Sequence, residues 1–506
     1  MIRRLADLPL FVLLMAACAL AMWLPAIYAL VVDDNETARA FFYSGVIWLL
    51  LTGLIAIVTS NYATTVAPRS NLLALVMSYL VLPVMAALPV TEAVPDTHLG
   101  NAWFEMVSCF TTTGATVYDA PGRLPDAVHL WRAIMGWFGG LFILVAATAV
   151  LAPLNLGGVE LLSGRTPGRA ATGARQVTEV ADAAQRVRRV TALVVPAYAG
   201  LTLTLWVGLM MLGNPGDVAL VFALGTLSTS GITFGPDIIL PAGGVTAEML
   251  LFVFLCISVT RRTMPGLAII NRKGRLRDDP EMRLAFLIVA LTATVLVLRY
   301  WHARADSGAG TTVVDLVAGY WAAAFTTLSF LTTTGYLADG WTGISDWAGN
   351  GTPGLLLIGL VIMGGGVATT AGGVKLLRVY ALFRQGEHEL VRLVHPNAVS
   401  GRGDTARRLR QEGAYLAWIF FMIFALTLGA IMTALTLTGN TFTDAMILAV
   451  SSLSTTGPLA AIAGPVPISY GALSAASQAV LAIAMVIGRL ETLALLVLFA
   501  PDSWRR

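Results

Sequence analysis

Four short stretches of the sequence share one pattern, in which a hydroxyl residue, a threonine and a second hydroxyl residue precede a glycine. They read TTTGAT from residue 111, STSGIT from residue 228, TTTGYL from residue 332 and STTGPL from residue 454. Each stretch follows a short apolar segment, and successive glycines lie between 104 and 122 residues apart. So regular a period indicates one structural unit that is repeated four times.

These residue types suit the coordination of a bare cation. Non-helical backbone at membrane depth exposes carbonyl oxygens, which is tolerated only where the backbone lines a cavity or is buried in protein. Four such loops around one axis would place carbonyl and hydroxyl oxygens where they replace the water shell of a monovalent ion. The predicted ion ligands are Thr112, Thr113, Gly114, Thr229, Ser230, Gly231, Thr333, Thr334, Gly335, Thr455, Thr456 and Gly457.

The composition indicates an integral membrane protein. Of the 506 residues, 57% are hydrophobic and 12% are charged, and the mean hydropathy is +0.77. Soluble domains carry about 25% charged residues. A net charge of +3 does not suggest a nucleic-acid partner. The sequence contains no nucleophile elbow, no P-loop and no metal-binding spacing of histidines or cysteines, so neither an enzyme active site nor an organic cofactor is expected on this chain.

Ten long apolar runs predict ten membrane spans, so that both termini lie on one side of the lipid bilayer. The first run is interpreted as a retained span rather than a signal peptide, because its uncharged length suffices to cross a bilayer. The runs cover residues 8–32, 40–60, 72–90, 133–156, 190–212, 243–260, 284–298, 354–374, 414–437 and 471–500.

Positive charge predicts which side is cytoplasmic. Arginine and lysine gather in three connections, near residues 165–189, 261–283 and 384–410, and at both ends of the chain. These segments share one side in the ten-span arrangement, and positive residues accumulate in cytoplasmic loops. The sequence therefore predicts a multi-pass protein of the bacterial cytoplasmic (inner) membrane, in contact with lipid, with both termini in the cytoplasm.

The predicted fold is an all-α membrane protein with two N-terminal spans and four membrane–pore-loop–membrane repeats around a pseudo-fourfold pore. The segments are residues 1–69 for the additional spans, then 70–165, 166–275, 276–395 and 396–506 for repeats one to four. Short apolar segments before the loops are too short to span and are expected to re-enter the membrane. Asn101, Asp217 and Asp444 are the expected N-caps of three of these short helices.

Glycines crowd the second long run of the third repeat, which reads LIGLVIMGGGVATTAGGVKLLRVY from residue 357. Glycine costs about 1 kcal/mol per helix-interior position relative to alanine, so a broken helix is expected. Close helix packing through glycine is the alternative. In the last run, Arg489 and Glu491 interrupt an otherwise apolar stretch, where simple pairing or extension towards the membrane surface is the alternative to a functional role.

With four filter-like glycines and the segments GGVK and GRLE, the sequence resembles the Trk/Ktr/HKT superfamily of cation transporters over about residues 70–500. The two additional spans resemble those of its Trk-type potassium uptake subunits. The resemblance implies a K⁺ filter at the four glycines, K⁺ as the transported ion, a homodimer, and a cytosolic TrkA-like nucleotide-binding regulatory subunit. It also implies an intramembrane gate formed by Gly364, Gly365, Gly366, Thr369, Thr370, Gly372, Gly373, Lys375 and Arg489.

The leading functional hypothesis is potassium uptake through a gated four-loop filter, and coupling to H⁺ or Na⁺ stays open. The alternative is a secondary symporter for Na⁺ or another solute that uses broken helices at the midplane. Such folds usually contain inverted repeats, whereas these four repeats share one orientation. A membrane enzyme would need a cluster of titratable residues in the spans, and the sequence shows none.

Overall fold

The computed structural model describes eight stretches of the chain. These are residues 10–60, 68–151, 183–234, 242–263, 279–308, 312–346, 353–394 and 404–490. The described residues form helices, turns and loops, with no β-strand among them. The predicted all-α membrane fold is confirmed. Glu491 and most of the arginine-rich connections lie outside the described residues.

Three N-terminal helices form the additional pair of spans. Helix α1 (Leu10–Ala21) and helix α2 (Trp23–Val31) together make the first span, and α3 (Asn35–Ser60) makes the second. The break between α1 and α2 has a local cause, because the ring of Pro25 clashes with the carbonyl group four residues earlier, at Ala21. This pair packs on helices α4 and α6 of the first repeat, defined next.

Four units of similar build follow, each with a long helix, a short helix and a second long or interrupted helix. The first unit comprises α4 (Pro68–Ala93), α5 (Leu99–Phe110) and α6 (Asp126–Ala146), and α6 continues as a π-helix at Ala147–Leu151. The second comprises α7 (Ala183–Met211), α8 (Gly216–Ser228) and α9 (Gly244–Leu255). The third comprises α10 (Pro280–Asp306), α11 (Val313–Leu331), α12 (Trp341–Asp346), α13 (Gly354–Met363) and α14 (Leu376–Val394). The fourth comprises α15 (Asp404–Leu437), α16 (Phe442–Leu453), α17 (Leu459–Ile462) and α18 (Ala475–Leu490).

The four units close into a ring. Each short helix packs within its own unit and also against the last membrane helix of the preceding unit: α8 on α6, α11 on α9, and α16 on α13. The ring closes where α5 of the first unit packs on α18 of the fourth. The ends of the four short helices therefore meet at the centre, where the core residues are most fully buried.

The expected N-caps were wrong by two or three residues. Helix α5 begins after His98 and α8 begins after Pro215, and neither residue caps its helix through a side-chain hydrogen bond. In α16 the N-cap is Thr441, whose hydroxyl accepts a hydrogen bond from the backbone N–H of Asp444. An acidic residue in the first turn interacts favourably with the helix dipole, as an acidic N-cap residue does. The sequence alone therefore does not distinguish a first-turn acid from an N-cap.

The number of long apolar helices differs from the ten predicted spans. Among the described residues, eight helices are long and apolar enough to cross a membrane, and α11 is one of them. Helix α11 is longer than expected because a capping box at Thr312 and Asp315 starts it early. The apolar parts of α9, α13 and α18 are shorter than a full span within the described residues.

Two helix-interior glycines set how closely the second helices approach the short ones. A Cβ atom on Gly139 of α6 would lie 2.0 Å from the carbonyl oxygen of Phe110, the last residue of α5. A Cβ atom on Gly488 of α18 would lie 2.0 Å from the carbonyl oxygen of Leu453, the last residue of α16. Both carbonyls belong to the residue four positions before a loop glycine, so the two contacts are equivalent in the first and fourth repeats.

We expect Gly139→Ala and Gly488→Ala to destabilise the protein by about 1–3 kcal/mol each, because rigid backbone must shift to admit the methyl group. Gly200→Ala is the matched control, since its added Cβ would meet no atom within 4 Å. It should instead stabilise α7 by about 1 kcal/mol. Thermal unfolding of the purified proteins in detergent measures the stability of all three variants. An unchanged melting temperature for Gly139→Ala would contradict the close approach of Gly139 to Phe110.

Candidate ion-coordinating site

Each short helix ends with a threonine in the left-handed backbone conformation. The φ angles are 55° at Thr112, 52° at Thr229, 59° at Thr333 and 54° at Thr455. This conformation is uncommon for any residue other than glycine and is an outlier for a β-branched one. Its recurrence at the same place in four repeats shows that the loops share one backbone path as far as the threonine.

Hydrogen bonds explain how the strained threonines are held. The next residue's N–H donates to the carbonyl five residues earlier, with distances of 2.8 Å at Thr113, 3.0 Å at Ser230, 2.9 Å at Thr334 and 2.8 Å at Thr456. The threonine's own N–H donates to the carbonyl three residues earlier, at 2.9–3.2 Å. Together these bonds form a Schellman motif, which satisfies helix-end carbonyls and turns the chain sharply.

Pairs of hydroxyl groups stabilise three of the loops through hydrogen bonds within each loop. The first and third residues of the motif share a hydrogen bond between side-chain oxygens in the first three repeats. The distances are 2.9 Å for Thr111 and Thr113, 2.9 Å for Ser228 and Ser230, and 3.2 Å for Thr332 and Thr334. In the fourth repeat, Thr456 donates instead to the carbonyl of Ser454, at 3.3 Å.

The loop glycines pack against one another in cyclic order. A Cβ atom on Gly114 would lie 2.0 Å from the carbonyl oxygen of Ser230 in the second loop, and one on Gly231 would lie 2.1 Å from that of Thr334 in the third. A Cβ atom on Gly335 in the third loop would lie 2.9 Å from side-chain carbons of Pro458 in the fourth. In the fourth loop, a Cβ on Gly457 would lie 2.1 Å from the backbone nitrogen of Ala115 in the first. The four loops thus form a closed ring that admits no side chain at these positions.

The carbonyl oxygens of the ring are not equivalent. Within the described residues, no hydrogen bond reaches the carbonyls of Gly114, Ser230, Gly231, Thr334 and Gly335. The carbonyl of Thr113 accepts from the N–H of Gly457 at 2.6 Å. Buried carbonyls without partners are costly, so these oxygens are suited to a cation.

Two buried glutamates brace the chain that leaves the loops. Glu105 of α5 forms a 2.6 Å ion pair with Arg132 of α6, and its other carboxylate oxygen accepts from the N–H of Val117 at 3.0 Å. Glu248 of α9 accepts from the backbone N–H of Asp339 and from the indole of Trp321, at 2.7 Å each. The sequence does not indicate either brace, because a single glutamate in an apolar helix does not reveal its partner on another helix.

The glycine-rich segment of residues 364–375 is non-helical and lies directly against the loop ring. Helix α13 ends at Met363 and α14 begins at Leu376. The N–H of Gly372 donates to the hydroxyl of Thr333 at 2.7 Å. A Cβ on Gly372 would lie 2.2 Å from the carbonyl of Ser454, so only glycine fits between the third and fourth loops.

Three contacts anchor this segment to its surroundings. The N–H of Val367 donates to Glu281 of α10 at 2.9 Å, and that of Gly366 donates to the carbonyl of Ser258 at 3.2 Å. The hydroxyl of Thr370 donates to the carbonyl of Leu227 at 3.2 Å. The segment is therefore an ordered part of the bundle that crosses beneath the ring.

Two buried cationic side chains face a cavity next to this segment. Lys375 and Arg489 both line it, together with Thr369, Gly372 and Gly373. Arg489 is 4% exposed, and its Nη1 donates to the carbonyl of Thr370 at 2.5 Å. Among the described residues, none accepts a hydrogen bond from its Nε and Nη2 atoms.

The structure brings the predicted residues together in two layers. The twelve predicted ion ligands lie in the loop ring, and the nine predicted gate residues lie in the glycine-rich segment or, for Arg489, beside it. Among the described residues, no group of three or more His, Cys, Asp or Glu side chains has metal-binding proximity. The residues that the sequence did not indicate are the glutamate braces and the hydroxyl pair formed by Ser451 and Tyr470.

Comparisons with known proteins connect this architecture to one family. The TrkH family model, described as a cation transport protein, matches residues 241–506. The Trk system potassium uptake protein TrkH of Salmonella typhimurium is 30% identical over 487 residues, which cover 96% of each chain. The Trk system potassium uptake protein TrkI of Halomonas elongata is 28% identical and covers 100% of this chain and 98% of its own.

A solved structure shows the same fold. The crystal structure of the potassium transporter TrkH from Vibrio parahaemolyticus superposes with a TM-score of 0.79 and 26% sequence identity. The alignment covers 100% of both chains. The likeness therefore includes the N-terminal helices, which lie outside the region matched by the family model.

We expect Glu105→Gln to destabilise the protein by about 3–5 kcal/mol, because Arg132 keeps a buried charge without its counter-ion. Asp96→Asn is the matched control, since Asp96 pairs with Arg123 at an exposed site. It should change stability by about 1 kcal/mol or less. Thermal unfolding of the two variants tests the brace, and equal small losses in both would contradict it.

Proposed function

The chain belongs to the TrkH family of cation transport proteins, and we propose that it carries K⁺ into the cell through the centre of the four-loop ring. The observation that carries this proposal is the closed ring in which the glycine of each loop packs against the next loop. Carbonyl oxygens without partners, on non-helical backbone inside a helical bundle, suit the coordination of a dehydrated cation. The names of the relatives supply the ion, potassium.

The proposed filter consists of the three residues that end at each loop glycine. Thr112, Thr229, Thr333 and Thr455 turn the backbone sharply. The carbonyls of Thr113, Ser230 and Thr334, which follow in the first three loops, lie against neighbouring loops. A potassium ion loses water at entry and gains carbonyl oxygens in exchange, so transport requires no bond making. Rigid glycine contacts keep the carbonyls from closing around a smaller ion.

The proposed gate is the glycine-rich segment of residues 364–375, with Arg489 beside it. The segment blocks the way beneath the ring, because Gly372 sits against the third and fourth loops. Arg489 adds a buried positive charge that repels a cation at this level. Opening requires the segment to leave the ring. Non-helical backbone, here with positive φ angles at Gly364, Ala368, Gly373 and Lys375, can absorb such a movement.

We propose that the working assembly is a homodimer in the bacterial inner membrane, with cytoplasmic termini and a cytosolic TrkA-like nucleotide-binding subunit. Support comes from the arginine-rich connections of the sequence and from the exposed, charge-bearing helix α14, which continues directly from the glycine-rich segment. A partner that moves α14 would also move the proposed gate, because the two are consecutive in the sequence.

We expect Gly114→Ser to lower the preference for K⁺ over Na⁺ by about tenfold, an energy of about 1.4 kcal/mol. The cause is a Cβ that collides with the carbonyl of Ser230 and a φ of 71° that serine adopts with strain. Uptake of ⁸⁶Rb⁺ into proteoliposomes, with K⁺ and Na⁺ as competitors, measures the preference. Gly122→Ser is the control on the same outer connection, where an added Cβ meets nothing within 4 Å.

Selective uptake by the unaltered protein and by Gly122→Ser, with a lowered ratio in Gly114→Ser, would support the filter. Equal ratios in all three proteins, at equal amounts of folded protein, would refute it. Unaltered protein that shows no K⁺-selective uptake would refute the proposed function as a whole.

We expect Arg489→Ala to raise the rate of K⁺ uptake by about tenfold, because a repulsive buried charge of about 1–2 kcal/mol is removed from the path. Arg384→Ala is the control, since Arg384 is exposed and pairs with Glu387 on α14. The initial rate of ⁸⁶Rb⁺ uptake is the measurement. A rate no higher than that of the control would exclude a barrier role for Arg489.

A further inference from the structure

The fourth loop differs from the other three in its backbone. Gly114, Gly231 and Gly335 adopt φ angles of 71°, 63° and 89°, whereas Gly457 is not left-handed. Pro458 follows Gly457 and starts the short helix α17 with φ −58° and ψ −19°. The first three loops continue with residues that retain a backbone N–H, and proline has none.

The missing N–H changes the role of a serine inside the short helix. Ser329 of α11 accepts a hydrogen bond from the N–H of Tyr336, the residue after the third loop glycine, at 2.7 Å. Ser451 occupies the equivalent position in α16, six residues before its glycine. Since Pro458 offers no N–H, the Ser451 hydroxyl donates to the carbonyl of Thr456 at 2.8 Å.

Tyr470 completes the arrangement. Its hydroxyl lies 2.6 Å from that of Ser451 and 3.1 Å from the carbonyl of Gly457, and it shares its one proton between these two acceptors. The tyrosine is 5% exposed and its ring packs on Phe104 of α5, with ring centroids 6.0 Å apart. The side chain of Gln478 on α18 donates to the backbone carbonyl of Tyr470 at 3.1 Å, which fixes its position.

The carbonyls of Thr456 and Gly457 in the fourth loop are therefore occupied. The first turn of α17 also uses them, because the N–H of Leu459 donates to Thr456 and that of Ala460 to Gly457, both at 3.2 Å. At the level of the glycines, the carbonyls that lack a partner within the described part of the chain come from the first three loops. We propose that Ser451 and Tyr470 act as positioning residues that hold the fourth loop in a distinct conformation and thereby set the K⁺ over Na⁺ preference of the ring.

This inference rests on the proposed function, since it assigns selectivity to a pair outside the filter motif. The hydroxyl pair fixes the distance between the fourth loop and the first, whose Thr113 carbonyl receives the N–H of Gly457. Without the pair, the fourth loop loses two side-chain hydrogen bonds and its carbonyls move with respect to the ion. A ring of less constant size discriminates less between two ions that differ mainly in radius.

The test uses the full-length protein in proteoliposomes and measures ⁸⁶Rb⁺ uptake against K⁺ and Na⁺ competitors. Tyr470→Phe and Ser451→Ala should each lower the K⁺ over Na⁺ ratio by about fivefold, the effect of losing one buried hydrogen bond. The double variant should show no further decrease, because the two hydroxyls act as one unit. Tyr300→Phe is the control, since its hydroxyl accepts from Arg304 on α10, outside the loops.

Ratios within about twofold of the unaltered protein in both single variants, or a ratio that rises, would overturn the inference. So would an equal decrease in Tyr300→Phe, or losses that add in the double variant, as general destabilisation would produce. If Tyr470→Phe is not recovered as a monodisperse protein, the K⁺ over Na⁺ ratio of Ser451→Ala, compared with that of Tyr300→Phe, tests the inference. Selective uptake by the unaltered protein tests the proposed function separately, so the two failures are distinguishable.

Discussion

Backbone carbonyls without hydrogen bonds, held at the centre of a helical membrane protein, are the constraint on which this structure depends. Such groups are tolerated only when the surrounding protein fixes them or a polar species fills the space. The Schellman ends of four short helices, the left-handed threonines and the glycine contacts between loops all hold the chain in this unfavourable arrangement. The cyclic packing of each short helix on the preceding repeat closes the ring.

The ring is also joined to the layer beneath it. Gly372 donates to the hydroxyl of Thr333, and Thr370 connects the second repeat to Arg489 of the fourth. A movement of the glycine-rich segment therefore breaks hydrogen bonds to three repeats at once. Because packed interiors change between discrete arrangements rather than deforming continuously, the proposed gate is expected to have two states, with the segment either against the ring or away from it.

Much of the fold and of the candidate site could be predicted from the sequence. Spacing located the four loops, and the crowding of glycines located the segment between α13 and α14. The predicted N-caps were wrong because an acidic residue in the first turn and an N-cap residue look alike in the sequence. The Glu105–Arg132 pair and the Ser451–Tyr470 pair were missed, because each joins residues that are distant in the sequence and unremarkable alone.

The sequence by itself determined the repeated unit, since a helix end that needs glycine and hydroxyl residues leaves a local pattern that recurs with the unit. It also determined the membrane setting, because the chain is too apolar for a soluble fold. Only the tertiary structure decided which carbonyls remain unpartnered and that the fourth loop departs from the other three. Those properties depend on contacts between repeats, such as Gly457 with Thr113, and local composition does not encode the distances between separate helices.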